Sequence, residues 1–405
     1  LPLTYEFIQT GGPPFELSVT ASSLAPGSFP TGAAAIGAVG SQRLNTSSVQ
    51  FNPPRNYITI WNLNVEHQLN PSTSVMVGYV GNRGVHMENV ADEVNMVLPT
   101  ATSQGYLWPS PAGSGTVLNP AVGELDAVWW GGSSSYNGLE AQVTKIMSHG
   151  LQAQGSYTWG KSIDTGSSTA EGDPYLNSIS SPLWFCNSCR RGLSDYNLAQ
   201  ALAVNYLWDV PAPKNWGAIG SYVLGGWQLG GIITAETGVP ITPILGGDPL
   251  GTNDHDPWDF PNRLTGPGCG SDVNPGNPNN YIKLNCFAVP MATPAVAAQC
   301  TPFSTVPGSC ANLLGNTGRN TLIGPGLVTW DASLMKNIYI KRISENFDVQ
   351  FRAEFFNILN RANFLAPIAN SALFDSTGAA VGGAGSVNQT STPAREIQFA
   401  LKLIW

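Results

Sequence analysis

Apolar and polar residues alternate with period two along much of this chain, and the alternation divides into nine segments. In 57–69, Tyr57, Thr59, Trp61, Leu63, Val65 and Leu69 share one face, and Ile58, Ile60, Asn62, Asn64, Glu66 and Gln68 lie on the other. The same rhythm runs through 73–83 (Val75, Val77, Tyr79), 136–147 (Leu139, Ala141, Val143) and 151–161 (Leu151, Ala153, Tyr157, Trp159). It continues through 198–208, a Gly-rich 221–236 and 328–340. In 346–357, Phe347, Val349, Phe351, Ala353 and Phe355 oppose Asp348, Gln350, Arg352 and Glu354. The last segment, 395–405, sets Ile397, Phe399, Leu401, Leu403 and Trp405 against Glu396, Gln398 and Lys402. Residues 1–10, with Leu3, Tyr5 and Phe7, offer a tenth.

The connections alternate as regularly as the residues do. Long stretches (11–56, 84–135, 162–197, 237–327, 358–394) take turns with short ones (70–72, 148–150, 209–218, 342–345). Most segments are about 9–13 residues long, the length a tilted strand needs to cross a bilayer. Strands crossing with short turns on one side and long loops on the other form an outer-membrane barrel, short turns in the periplasm and loops outside. The expected fold is therefore all-β: an antiparallel transmembrane β-barrel in a bacterial outer membrane, its apolar faces against lipid. Nine or ten such strands are counted.

Composition sharpens this reading. Charged residues are 11%, while Gly 45 and Pro 31 supply turns. Mean hydropathy is −0.03, so the missing charge is replaced by small polar and aromatic residues. No run approaches the ~18 apolar residues of a spanning helix, and in hydrocarbon only helices or closed barrels satisfy the backbone. A net charge of −8 without a basic cluster argues against a nucleic-acid partner. The chain opens Leu1-Pro2-Leu3, which reads as a mature form or a fragment of something longer.

Three stretches resemble the C-terminal barrel of TonB-dependent receptors, especially the Oar-like group with a carboxypeptidase-regulatory-like domain found in acidobacteria. They are NYITIWNLNVEHQLNPSTSVMVGYVGNRG at 56–84, the SSYNGLEAQVTK…GLQAQGSYTWGKSID block at 134–164, and FRAEFFNILNRANF at 351–364. The closing IQFALKLIW, with Ile397, Phe399, Leu401, Leu403 and Trp405, resembles the aromatic-ended strand read by the barrel-assembly machinery. The resemblance implies uptake of an unknown solute (oligosaccharide, peptide or chelate) powered by the TonB complex through a plug and TonB box, neither visible here. It implies about 22 strands, more than twice those seen, so that the nine or ten strands here would be part of a larger barrel.

The candidate chemistry is modest. Glu66, Glu140, Glu236, Asp331, Arg352 and Glu354 are expected to point into a lumen, as polar strand residues of a barrel do. In the longest loop, Asp248, Asp254, His255, Asp256, Trp258 and Asp259 read either as a solvated turn region or as a Ca²⁺ or sugar contact. Cys186 and Cys189 read as a loop disulfide or as partners of other cysteines, with no second motif to complete a zinc site. Proximity favours Cys269 with Cys286 and Cys300 with Cys310, although spacing does not prove connectivity. No cofactor, resident metal or catalytic group is expected, and no catalytic motif is present. The competing readings are a non-transporting surface or adhesion barrel and a secreted soluble β-rich binding protein.

Overall fold

The computed structural model describes residues 3–5, 44–91, 93–109, 117–119, 122–167, 183–211, 222–252, 259–340, 347–369 and 371–405. Nine antiparallel strands form one up-and-down meander, each paired to its neighbours in sequence. They are β1 (Tyr57–Asn70), β2 (Thr73–Ala91), β3 (Val122–Ser148), β4 (Leu151–Asp164), β5 (Gln200–Asp209), β6 (Trp227–Glu236), β7 (Leu327–Tyr339), β8 (Asp348–Phe356) and β9 (Glu396–Ile404). The sheet is open: among the described residues β1 and β9 are each paired on one side only.

Register shows why these residues make this sheet. One row of opposed residues runs Val65, Val77, Ala141, Tyr157, Leu202, Ala235, Val328. The next row toward the turns runs Glu66, Met76, Gln142, Ser156, Ala203, Thr234, Thr329. Every apolar face read from the sequence thus falls on one side of the sheet, and the polar faces fall together on the other. A slip of one residue at any pairing would invert the strands beyond it, so the faces lock the register. The apolar side is uncovered: Leu63 is 69% exposed, Trp159 59% and Phe399 68%. Lipid is the solvent such a face requires. Polar atoms on this side satisfy one another, as where the Trp330 indole N–H donates to the Tyr206 hydroxyl at 3.1 Å. Tyr79 likewise donates to Asn137 Oδ1 at 2.7 Å.

The same rows reveal the tilt of the strands. A row entering at the first hairpin runs Thr73, Lys145, Ala153, Tyr206, Gly231, Ala332, Phe355 and Ile397. It begins beside the turn of β1–β2 and leaves next to the opposite ends of β8 and β9, at Phe356 and Glu396. The turns therefore descend by about one residue per strand, which at ~3.3 Å per residue and ~4.8 Å between strands is a tilt of roughly 35–40°. That is the tilt of transmembrane barrel strands.

The turns explain themselves locally. At Asn70-Pro71-Ser72 the Asn70 side chain accepts from the Ser72 N–H at 3.0 Å and its hydroxyl at 2.9 Å, an Asx turn around a proline. At Ser148-His149-Gly150 both central residues have positive φ, 51° and 77°, the pattern of a tight two-residue hairpin. Gly150 is required there, since a Cβ would meet the Asp209 carbonyl oxygen at 2.8 Å.

The structure departs from the sequence reading at several strand ends. The strands placed at 73–83 and 136–147 run on to Ala91 and back to Val122, so β2 and β3 form a long hairpin beyond the bilayer span. No apolar alternation marks this extension, where Asn89 and Ala91 are buried and Arg190 of a later loop lies over Trp129. The strand placed at 221–236 begins at Trp227. Residues 222–224 instead turn helically, and Gly226 at φ 73° redirects the chain. Lys336 fixes this corner, donating to the carbonyls of Tyr222 (2.8 Å), Val223 (3.3 Å) and Gly225. The hairpin placed at 342–345 links Tyr339 to Asp348, with 341–346 outside the described residues. Of the tenth strand expected over 1–10, Leu3–Tyr5 pairs with Leu44–Val49. The latter runs parallel to the far end of β3, outside the meander.

Candidate functional site

The polar side of the sheet is one continuous wall. Asn64, Gly78, Glu140, Thr158, Ala201 and Glu236 occupy a single row, so Glu140 and Glu236 stand three strands apart. At ~4.8 Å per strand that is roughly 14 Å, beyond the ~5–9.5 Å of a carboxylate pair working on one bond. On the last three strands the polar groups link up. Gln350 donates to Asn337 Oδ1 at 2.8 Å, Arg352 donates to Gln350 Oε1 at 2.6 Å, and Gln398 donates to the Glu354 carboxylate. Gly230 opens a cleft of about 370 Å³ in this wall, bordered by Asn205, Leu207, Ile232, Ser333 and Glu354. Asp331, at its upper rim, accepts from the Asn357 N–H at 2.8 Å.

The hydrophobic core lies in the long connections rather than in the meander, where Ala91, Ala332 and Ala353 are the only buried apolar residues among those described. Segments 91–122, 164–200, 236–327 and 356–396 all join β-strands at the same end, and they interlock into a cap. Met96 and Trp108 pack with Leu183, Leu250, Phe260 and Leu314. Ile241, Tyr281, Ile282, Phe287 and Leu322 pack with Leu373 and Val387. Asn312 is buried between segments, donating to the Trp108 and Gln299 carbonyls at 2.7 and 2.9 Å. Three disulfides staple this cap: Cys186–Cys189, Cys269–Cys286 and Cys300–Cys310. Burial pushes the Tyr281 phenol up to about 12, and its hydroxyl donates to the Ile323 carbonyl at 2.8 Å.

One arginine pins the cap to the wall. Arg319 pairs with Asp164, at the end of β4, and with Asp195 at 3.1 Å. Its guanidinium also donates to the Asp164 carbonyl at 3.0 Å and to the Ser167 hydroxyl at 3.3 Å. Asn320 extends the joint, donating to the Leu193 carbonyl at 2.7 Å and exchanging hydrogen bonds with Thr242 at 2.9 and 3.1 Å. Its φ of 58° turns the chain so that successive side chains grip wall and cap. Asp164 opposes Ser134 and Gly84 on the polar side, so the pin sits at the mouth of the wall.

A family model described as "Outer membrane beta barrel domain" matches residues 2–398. The chain belongs to that family. The outer-membrane barrel domain resembles, among solved structures, the outer membrane transporter YddB from Escherichia coli at 9% identity and a TM-score of 0.43. That likeness covers 90% of this chain and 34% of the other, so the barrel domain spans about a third of that protein's length. Comparison with curated proteins finds no match.

In the barrel domain, Glu66, Glu140, Glu236, Arg352 and Glu354 all lie on the polar wall, spread over four strands, with Arg352 and Glu354 together on β8. Glu354 lines the cleft; Glu66 lies at the opposite edge, exposed on β1. Asp254, His255, Asp256 and Trp258 lie outside the described residues. Their neighbours serve the loop itself: Asp248 accepts from the Thr252 N–H at 2.8 Å, and buried Asp259 accepts from the Leu250 N–H at 2.9 Å. Ile397, Phe399, Leu401 and Leu403 form an exposed apolar row on the edge strand, and Phe399 stacks on Phe351 at 6.1 Å. Trp405 follows, 86% exposed. Sequence reasoning missed Arg319, Asp164, Asp195 and Asn320. The one available signal was the scarcity of charge, which makes a lone Arg in the Asn-Thr-Gly stretch 316–321 unusual.

Proposed function

We propose that this chain supplies part of the lumen wall and the external cap of an outer-membrane receptor that takes up a small solute. The observation that carries the reading is a cap with its own core, pinned by Arg319 across the mouth of a polar wall. A cap of this kind selects what reaches the wall, and the wall offers hydrogen-bonding groups along the path, Glu140, Glu236, Arg352 and Glu354 among them. An oligosaccharide, a peptide or a metal chelate suits such a surface. The energy would come from the TonB complex through a plug and TonB box in the remainder of the receptor. The exposed terminal row ending in Trp405 would be the part read during barrel assembly.

Uptake of labelled oligosaccharides and peptides by cells expressing the full-length protein tests this. Accumulation of one class, abolished when the proton gradient is collapsed, is the expected result. Surface retention that is unchanged by collapsing the gradient would contradict transport and favour an adhesive barrel.

A further inference from the structure

We propose that Lys161, Arg83 and Arg191 form a site on the lipid-facing side that holds the phosphate of an outer-leaflet lipid headgroup. The row Leu63, Tyr79, Leu139, Trp159 carries exposed aromatics on the apolar face, the character of a membrane-interface girdle. Two residues further out, the row Trp61, Gly81, Asn137, Lys161 brings in the first cation. The next row of the same face, Thr59, Arg83, Ser135, Ile163, Leu193, brings the second. Arg191 stands two residues before Leu193 and so continues the same face, one row higher.

All three cations are exposed. Among the described residues none has an acidic partner, and these rows place no carboxylate on this face. Arg83 and Arg191 border one cleft of about 170 Å³, with Ser133, Ser135 and Ile163 on the same face. Asp164 also lines it, but its carboxylate is neutralised from the other side of the sheet by Arg319. Two guanidiniums beside the Ser133 and Ser135 hydroxyls suit a tetrahedral anion, since guanidinium groups bind phosphate in bidentate fashion. Their height, immediately beyond an aromatic row, is that of headgroup phosphates. The cations stand directly above an apolar, aromatic row, which brings a lipid headgroup phosphate within their reach.

The site rests on the membrane face alone and does not depend on transport. The test uses the full-length protein in phosphatidylcholine vesicles containing phosphorylated lipid A or its dephosphorylated form, with retained lipid measured by native mass spectrometry. The protein should retain the phosphorylated lipid preferentially. The variant with Arg83→Ser, Lys161→Ser and Arg191→Ser should lose roughly a hundredfold in that preference, about fivefold per cation. A charge-conserving set, Arg83→Lys, Lys161→Arg and Arg191→Lys, should keep most of it and shows that the exposed positions tolerate change. Equal retention of both lipids, an unaltered preference in the serine variant, or displacement of the lipid by millimolar inorganic phosphate would each overturn the proposal.

Discussion

Arg319 and Asp164 form an ion pair buried on both sides, their side chains 3% and 4% exposed, although 155 residues separate them in sequence. The pair joins the longest loop to the end of a membrane strand. Removing one partner of a buried pair strands the other charge and costs about 3–5 kcal/mol. Arg319→Ala should therefore loosen the cap and leave the sheet intact. Hydrogen exchange should rise across 240–323 and 183–197, while strand amides and heat-modifiable migration stay unchanged. Unaltered exchange in the cap would show that the pin holds nothing.

Tyr281 gives the cap a pH limit. Its phenol is neutral in the fold, raised to about 12 by burial from an ordinary value of 10.0. A raised folded-state pKa means the contribution is complete below pH 10 and is lost as pH climbs toward 12. Absorbance titration of tyrosinate, native against Tyr281→Phe, should show one phenol ionising only at the alkaline end. The Phe variant also orphans the Ile323 carbonyl, at a cost of about 1–3 kcal/mol in cap stability.

The disulfides divide by what they close. Cys269–Cys286 spans 17 residues and Cys300–Cys310 spans 10, with Cys286 and Cys310 fully buried in apolar clusters. Replacing either pair by alanine should destabilise the cap by about 2–4 kcal/mol. Cys186–Cys189 closes a loop of 3 and should matter least. Protease nicking after reduction, mapped along the chain, should fall in 240–323 before any strand is cut. Cleavage in the strands first would contradict the separation of cap and wall.

Neighbouring residues on β5 should respond oppositely to the same charge. Val204 opposes Gly155 and Ile233 on the apolar side, and Asn205 opposes Gln154 and Ile232 on the polar side. Val204→Arg should impair insertion by about 2–4 kcal/mol, and Asn205→Arg should be tolerated. Folding yields into vesicles would measure both, and equal effects would mean that the faces are misassigned.

The strands were legible in the sequence because a wall with lipid on one side and water on the other imposes period two on every residue. Phe351 and Arg352, or Val65 and Glu66, declare their faces without any neighbour. The prolongation of β2 and β3 was not legible, since loop residues such as Arg190 cover part of it in place of lipid and Ser133, Ser134 and Ser135 carry no contrast. The start of β6 was missed because Val223 and Leu224 mimic strand residues, whereas the turn depends on Gly226 and on Lys336 from another strand. The pin was least legible of all. It is assembled from residues over 100 positions apart, and no local pattern couples Arg319 to Asp195.

One side of this sheet faces lipid and the other faces water. Fluorophores attached singly at 202–208 in the membrane-inserted full-length protein would be read with quenchers placed in the acyl chains or in water. Positions 202, 204, 206 and 208 should be quenched from the lipid, and 203, 205 and 207 from water. Quenching that does not alternate, or that comes from water at every position, would contradict the account.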